Sequence, residues 1–254
     1  MNLFNAYAYQ APVDLLKDKV ILVTGAGDGI GKAVASAYAQ HGATVILLGR
    51  TVAKLEQTYD DIEKLGRGSP AIYPLDLASA DESDYQELAN ILEREFGQLD
   101  GLLHNAALLG TLSPIESYPA ATWHKVMKVN VDAGFMLTRA TLPLLRQSES
   151  SSLVFTTSGV GHRGRAYWGA YSVSKFATEG LMQVLADELE NTSSVRVNCI
   201  NPGATRTAMR QSAFPAENPD SLCRPEEITA AYLYLMGEDS IGVHGQIIDA
   251  QAPK

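Results

Sequence analysis

The chain has 254 residues, of which 46% are hydrophobic and 19% are charged, as in a soluble globular protein with a large core. A formal net charge of −9 argues against nucleic acid or an anionic membrane as a main partner, because both demand clustered lysine and arginine. Two cysteines imply no disulfide framework, the N-terminus lacks a signal-peptide pattern, and no apolar stretch approaches the roughly 20 residues that span a bilayer. These features predict a cytoplasmic protein.

Short apolar runs predict seven strands. They cover residues 20–25, 44–49, 71–76, 99–106, 152–158, 195–203 and 245–250. Continuous runs of this kind are typical of strands buried on both faces of a parallel sheet. Between them lie longer segments with helical spacing, such as 32–40, 84–96 and 176–189. The alternation predicts a doubly wound, Rossmann-like α/β fold with a parallel sheet of about seven strands.

Two segments fall outside this alternation. Residues 1–16 precede the first strand and are predicted to form an N-terminal arm on the surface, with residues 17–254 forming a single domain. Residues 204–226 contain three prolines and follow the sixth strand as a long irregular excursion. Because loops of this length are usually functional or mobile, we expect this segment to be a substrate lid.

A glycine-rich turn follows the first predicted strand. Gly25, Gly29 and Gly31 have a G-x-x-x-G-x-G spacing between a strand and a helix. Glycine permits a sharp turn and lets the backbone approach a pyrophosphate at a helix N-terminus, where free N–H groups favour anions. A tight turn that only packs the helix on the strand is the alternative. The position after the first strand of a β-α-β unit favours a dinucleotide site.

The end of the second strand indicates which dinucleotide binds. NAD-binding folds commonly place an acidic residue there to hold the ribose 2′-hydroxyl, whereas this chain has Arg50. A guanidinium can bind a 2′-phosphate through two parallel hydrogen bonds, which favours NADP over NAD. Asp28, inside the glycine turn, argues in the other direction, and a solvated charge is the alternative role for Arg50.

Six motifs carry a family resemblance. TGAGDGIG, HNAA, VNVDAG, TTSGVG, YSVSK and NPGATRT occur in the order seen in the short-chain dehydrogenase/reductase family, which the chain resembles over about residues 18–250. Within that family the sequence of these motifs is most similar to the YciK-type branch of bacterial NADP-dependent oxidoreductases. The resemblance implies hydride transfer between a nicotinamide and a carbonyl or alcohol.

The family uses an Asn–Ser–Tyr–Lys set, matched here by Asn130, Ser158, Tyr171 and Lys175. Tyr171 and Lys175 are four residues apart and therefore share a helix face. An ammonium about 4 Å from a phenol contributes about 4 kcal/mol at a dielectric of about 20, enough to bring the phenol pKa to about 7. We therefore expect Lys175 to lower the pKa of Tyr171, the general acid/base. The resemblance implies that Ser158 polarises the substrate oxygen and that Asn130 anchors a water, although a satisfied polar group within a helix is the alternative for Asn130.

The resemblance also implies a set of cofactor contacts. They are Gly25, Asp28, Gly29, Ile30, Gly31, Arg50, Asp76, Leu77, Asn105, Ala106, Tyr171, Lys175, Pro202, Gly203, Thr205 and Thr207. Two residues depart from the family's common pattern after the fourth strand, because His104 replaces an asparagine and Ala107 replaces a glycine.

Loops before the tyrosine and after the fourth strand are predicted to form the substrate pocket, since specificity usually resides in loops. The candidates are Leu108, Gly159, His162, Arg165 and Trp168. Arg165, or its neighbour Arg163, would hold a carboxylate or phosphate, and Trp168 would stack on a ring. Exposed arginines and a packing tryptophan are the alternatives, and the histidines indicate no metal site.

The sequence therefore predicts an NADP(H)-dependent oxidoreductase for a small-molecule carbonyl or secondary alcohol, without giving the substrate. A reductase of carrier-bound 3-oxoacyl groups is one alternative, which the acidic charge supports little. A non-catalytic dinucleotide-binding or sensing protein is the other. Family members pair helices that match residues 122–145 and 171–190, so the resemblance also implies a homodimer or homotetramer.

Overall fold

The predicted strands form one seven-stranded sheet in the computed structural model, which describes residues 3–253. The strands are β1 (Val20–Thr24), β2 (Thr44–Gly49), β3 (Ser69–Pro74), β4 (Gly101–His104), β5 (Ser152–Thr156), β6 (Arg196–Asn201) and β7 (Ile247–Asp249). Their order is β3-β2-β1-β4-β5-β6-β7, and every neighbouring pair is parallel. The doubly wound α/β fold predicted from the sequence is confirmed.

Eight α-helices connect the strands within the described residues. They are α1 (Gly29–Gln40), α2 (Val52–Leu65), α3 (Glu82–Phe96), α4 (Ala120–Met127), α5 (Ala133–Gln147), α6 (Gly169–Leu189), α7 (Ala208–Ala213) and α8 (Thr229–Met236). A π-helical turn, Lys128–Asp132, joins α4 to α5. None of the helices within residues 3–253 has the length and apolar character to cross a lipid bilayer.

Successive strand residues face opposite sides of the sheet, and each side has its own apolar core. In β1, Ile21 and Val23 belong to the core that includes Tyr38 of α1 and Tyr232 of α8. Leu22, between them, belongs to the core on the other side of the sheet. This burial on both faces explains why the strands are continuous apolar runs rather than alternating ones.

The N-terminal segment is packed more closely than the predicted surface arm. Ala6, Tyr9 and Leu16 are buried, and the Tyr9 ring lies 5.4 Å from the ring of Tyr234 in α8. The Tyr9 hydroxyl also donates a hydrogen bond of 2.7 Å to Asp239. These apolar side chains were not recognised as part of the core because they lie outside the alternation of strands and helices. The boundary between arm and domain stays a prediction.

Most of the strands end one or two residues earlier than the apolar runs suggested. Strands β4, β5 and β6 end at His104, Thr156 and Asn201, whereas the runs continue to residues 106, 158 and 203. The extra residues leave the sheet at its carboxyl edge. This edge is where ligands bind in doubly wound sheets, so the residues that leave the sheet become available for a site.

Candidate active site

A cleft of about 650 Å³ opens at the carboxyl ends of the strands, where the strand order reverses between β1 and β4. Such a switch point is the usual position of a ligand crevice. The sequence-predicted site residues in its wall are Gly25, Asp28, Gly29, Ile30, Arg50, Asp76, Leu77, Asn105, Ala106, Leu108, Tyr171, Lys175, Pro202 and Thr207. The structure therefore brings most of the predicted cofactor contacts together in one cleft.

The glycine turn brings bare backbone to this cleft. Gly25 has a φ of +69°, and a Cβ there would lie 3.0 Å from the Cα of Ala106. A Cβ on Gly31 would overlap the carbonyl oxygen of Gly25. Helix α1 begins at Gly29, whose N–H donates to the carboxylate of Asp28 at 2.7 Å. Because the glycines carry no Cβ, the turn and the helix N-terminus leave bare backbone at the cleft, and this arrangement fits a pyrophosphate.

Thr24, at the end of β1, fixes the backbone that follows β4. Its hydroxyl accepts hydrogen bonds from the N–H groups of Asn105, at 2.9 Å, and Ala106, at 3.0 Å. The side-chain amide of Asn105 donates to the carbonyl oxygen of Thr24 at 3.2 Å. Sequence reasoning missed Thr24, because its partners are about 80 residues away and no local pattern reveals them.

The far end of the cleft carries the residues predicted to bind adenosine. Arg50 directly follows β2, and Asp76 and Leu77 follow β3, so that all three lie in the wall. Lys54, in the first turn of α2, lies in the same wall and forms a 2.5 Å ion pair with Asp28. Lys54 was not singled out in the sequence. The sequence could have indicated Lys54, because its position four residues after Arg50 places both cations at the start of one helix.

Tyr171 and Lys175 meet on one face of α6. The helix begins at Gly169, so Tyr171 lies in the first turn and Lys175 one turn later. Both side chains are buried, and the Lys175 Nζ lies 5.5 Å from the centroid of the Tyr171 ring. The ammonium donates a hydrogen bond of 2.7 Å to the carbonyl oxygen of Thr156, at the end of β5. A titratable pair is thus held between α6 and the sheet.

The pKa of Tyr171 is raised in the structure, whereas the sequence predicted that it would be lowered. Burial raises the pKa of the phenol to about 12, and hydrogen bonding to Ser158 lowers it by a smaller amount. The expected lowering by Lys175 was wrong for this structure, because the ammonium is directed to the Thr156 carbonyl. Tyr171 therefore keeps its proton at neutral pH.

Burial also changes the pKa of Lys175. Removal from water lowers it to about 8, while the nearby Cys199 and Glu179 act in the opposite direction. Glu179 is itself buried and accepts a 2.5 Å hydrogen bond from the hydroxyl of Thr157. The ammonium is consequently charged at pH 7 but loses its proton far more easily than an exposed lysine.

Ser158 lies where the chain leaves β5 and turns toward α6. Its hydroxyl accepts a hydrogen bond of 3.5 Å from the N–H of Val160 and so caps the short 3-10 turn Gly159–Gly161. The same hydroxyl interacts with the phenol of Tyr171. Ser158 and Tyr171 are therefore neighbours, as the family pattern implies.

Asn130 is placed by the π-helical turn and is fully engaged by protein partners. Its side-chain oxygen accepts from the N–H of Leu108 at 2.8 Å, and its amide donates to the Leu108 carbonyl at 3.0 Å. The amide also donates to the Ser174 hydroxyl at 2.9 Å. The side chain thus fastens the loop after β4 to α6, and the role of Asn130 in anchoring a water stays a prediction.

His104, which departs from the family's asparagine, packs beneath the cleft. Its ring stacks on Phe155 with 4.6 Å between centroids, and its Nε2 lies 2.9 Å from the hydroxyl of Thr138. Burial lowers the pKa of His104 to about 3. No group of three or more His, Cys, Asp or Glu side chains that could hold a metal ion occurs within the described residues.

We expect His104 to make the fold sensitive to acid. The unfolded chain takes up a proton below about pH 6.5, whereas the folded chain excludes it until about pH 3, so stability falls as pH falls through this window. From pH 7 to pH 5 the loss due to this residue is about 2 kcal/mol. Urea unfolding of wild type and His104→Asn at both pH values measures it.

The His104→Asn protein should lose less stability than wild type between the two pH values, whatever its stability at pH 7. His124→Asn is the matched control for loss of an imidazole, because His124 is exposed on α4. An equal pH dependence in wild type and His104→Asn would show that the ring accepts a proton as readily in the folded chain as in water.

The predicted lid is fastened to the segment that precedes Tyr171. The Trp168 ring lies 5.8 Å from the Tyr171 ring and 5.7 Å from Phe214, which follows α7. The guanidinium of Arg165 lies 5.4 Å from the centroid of Phe214, and that of Arg210 lies 3.9 Å from it. Trp168 and Arg165 were predicted to contact substrate, whereas in the structure both pack on the lid and lie outside the cleft wall.

Several predicted residues do not line the cleft. Gly31 acts through packing alone, and the hydroxyl of the buried Thr205 donates to the carbonyl of Pro202 at 3.1 Å. Gly203 lies against Gln251, whose amide donates to the carbonyls of Pro202 and Ala204. Gly159 and His162 also lie outside the wall, and the His162 ring lies 3.4 Å from the carboxylate of Glu179.

Comparison with known proteins relates this geometry to a family. The family model described as short chain dehydrogenase matches residues 19–218. The chain is 54% identical to the uncharacterized oxidoreductase YciK of Escherichia coli K12 over 244 residues, which covers 96% of each chain.

Solved structures give the same relationship. A short chain dehydrogenase structure from Pseudomonas syringae is 58% identical with a TM-score of 0.94, and the match covers 96% of this chain and 98% of that one. A short chain dehydrogenase from Shigella flexneri 2a, in complex with NADP, is 54% identical with a TM-score of 0.91 and coverages of 94% and 100%.

Proposed function

Since the chain belongs to the short chain dehydrogenase family of oxidoreductases, we propose that it uses NADP(H) to interconvert a carbonyl group and a secondary alcohol. The observation that carries the proposal is the position of Tyr171 and Lys175 in the wall of the cleft that the glycine turn also lines. The substrate is a small molecule that enters beside Leu108.

Most of the predicted contacts for NADP(H) line the cleft. The glycine turn and the N-terminus of α1 would hold the pyrophosphate, and Asp76 and Leu77 would lie beside the adenine. Arg50 would bind the 2′-phosphate, which NAD lacks. The crystallised Shigella relative in complex with NADP supports this choice of dinucleotide.

Tyr171 supplies the proton in carbonyl reduction. With a pKa of about 12, the phenol carries its proton at neutral pH and would donate it to the carbonyl oxygen, although the raised pKa makes it a weaker acid. Ser158, whose hydroxyl neighbours the phenol, would hold the same oxygen. When bound, the reduced nicotinamide supplies the hydride that the carbonyl carbon receives.

Lys175 would lower the free-energy cost of removing that proton from Tyr171. A pKa near 12 opposes release of the proton at pH 7, and bringing an ammonium to about 4 Å offsets about 4 kcal/mol of this cost. The ammonium would therefore turn from the Thr156 carbonyl toward the phenol as the reaction proceeds. Asn130 contributes by holding the loop after β4 against α6, which keeps the substrate-side wall in place.

Apolar side chains on α5 and α6 support self-association. Phe135 of α5 and Val173, Phe176 and Val184 of α6 are all more than two-fifths exposed. Exposed apolar side chains that form a contiguous patch are typical of an interface. We propose that two copies pair through these helices, as a homodimer or within a homotetramer.

A screen of carbonyl compounds tests the proposed function. Wild-type protein is incubated with NADPH or NADH and a panel of ketones, aldehydes, quinones and 3-oxo acids, and the loss of reduced dinucleotide is followed by absorbance. We expect consumption with at least one class and a faster rate with NADPH. Binding of NADPH without consumption across the whole panel would instead favour the sensing protein.

A further inference from the structure

An ion pair crosses the adenosine end of the cleft and joins two elements that are separate in sequence. The Nζ of Lys54, on α2, lies 2.5 Å from a carboxylate oxygen of Asp28, in the glycine turn. Both side chains are more than half exposed, and both line the cleft beside Arg50. The pair therefore lies on the solvent side of the site, within reach of whatever occupies it.

The carboxylate of Asp28 binds one backbone N–H group and one cation of the cleft wall. One carboxylate oxygen caps α1 by accepting the N–H of Gly29, and the other binds Lys54. These bonds hold the pKa of Asp28 below its usual range, with Lys54 as the main cause. A full negative charge therefore lies beside the turn that would bind a pyrophosphate, where it repels phosphate groups.

Lys54 is the side chain that cancels this charge. The other lysine near the turn, Lys32, is bound to Asp61 at 2.8 Å and does not line the cofactor cleft. An ammonium has three donors, so Lys54 can hold Asp28 and still bind a second anion. Arg50, which forms no ion pair within the described residues, lies four positions earlier and completes a pair of cations.

We propose that Lys54 determines the preference for NADP(H) over NAD(H), by binding the 2′-phosphate together with Arg50 and by screening that phosphate from Asp28. The inference rests on the proposed function, since it needs the dinucleotide to lie in this cleft. It also explains why a chain with an acidic residue in its glycine turn can favour the more negatively charged dinucleotide.

Direct binding of the two dinucleotides tests the inference without any substrate. The dissociation constants of NADPH and NADH are measured by dinucleotide fluorescence for wild type, Lys54→Gln and the double variant Asp28→Asn with Lys54→Gln. Asparagine is as good a helix cap as aspartate, so the double variant removes the charge and keeps the cap of α1. Lys64→Gln, on the same helix but outside the cleft wall, is the control for net charge.

Lys54→Gln should weaken NADPH binding about tenfold, the scale of one exposed charge-assisted contact, and change NADH binding less than about twofold. The double variant should recover part of the loss for NADPH, because the unscreened charge of Asp28 is gone. Lys64→Gln should match wild type.

Equal weakening of both dinucleotides, or none, in Lys54→Gln would overturn the inference while leaving the proposed function intact. No recovery in the double variant would overturn the part assigned to Asp28. A wild-type protein that binds neither dinucleotide would overturn the proposed function, and this inference with it.

Discussion

Replacing Tyr171 with phenylalanine should lower the turnover of NADPH by about a thousandfold, since the variant lacks the group that donates the proton. The effect should fall on kcat rather than on cofactor binding. Phenylalanine keeps the ring, which lies 5.5 Å from the Lys175 ammonium and 5.8 Å from Trp168, so the wall of the cleft is preserved. Initial rates of NADPH oxidation with the best substrate of the screen measure the loss.

The control for this substitution is Tyr167→Phe. Tyr167 is four residues earlier, is 61% exposed and lies outside the cleft wall, so loss of its hydroxyl should leave kcat unchanged. NADPH should bind to Tyr171→Phe within about twofold of wild type, which separates chemistry from binding. A Tyr171→Phe protein with wild-type turnover would remove this residue from its role.

Replacing Gly31 with alanine should weaken the binding of both dinucleotides by about a hundredfold, the upper range for overpacking a closely packed position. A Cβ at residue 31 would overlap the carbonyl oxygen of Gly25 and crowd the side-chain amide of Asn105. The turn would have to open, and its N–H groups would lose their position at the cleft. Fluorescence titration with NADPH and NADH measures the change.

Gly134→Ala is the matched control for this substitution. Gly134 lies in α5, where an added Cβ would meet Phe155 at 3.8 Å, an ordinary packing distance. This variant should bind both dinucleotides like wild type. Thermal unfolding of the two variants shows whether they remain folded, and a folded Gly31→Ala protein with wild-type affinity would mean that the glycine turn does not form the phosphate site.

Local patterns were sufficient to predict the fold. The seven strands follow from apolar runs alone, because strands buried on both faces need no polar alternation. The spacing of four residues places Tyr171 and Lys175 on one helix face, whereas their predicted role came from the family resemblance. The spacing of Gly25, Gly29 and Gly31 identifies the turn after β1 in the same way.

Contacts between distant elements could not be predicted in this way. Thr24 organises a loop about 80 residues away, and Asn130 binds Leu108 and Ser174 from a π-helical turn that no sequence period indicates. The pKa of Tyr171 shows the same limit. The sequence gives the distance along the helix to Lys175, whereas burial of the phenol depends on the packing of the whole site.

Near the predicted lid, residues were identified from the sequence but their contacts were predicted wrongly. Trp168 was predicted to stack on a ring of the substrate, but its own ring packs on Tyr171 and on Phe214, from a segment more than 40 residues later. Arg165, predicted to bind an anionic substrate, lies against the same ring. Aromatic and cationic side chains near a site have several uses, and only the packing distinguishes contact with a substrate from contact with residues 204–226.

The decisive measurement is a crystal structure of this protein with NADP bound. Our account requires one phenol and one ammonium to serve the same reacting centre, so the hydroxyl of Tyr171 and the amino group of Lys175 should both face the nicotinamide ribose, with Lys175 released from Thr156. A complex in which that hydroxyl is directed away from the nicotinamide, with the lysine still on the Thr156 carbonyl, would contradict the account.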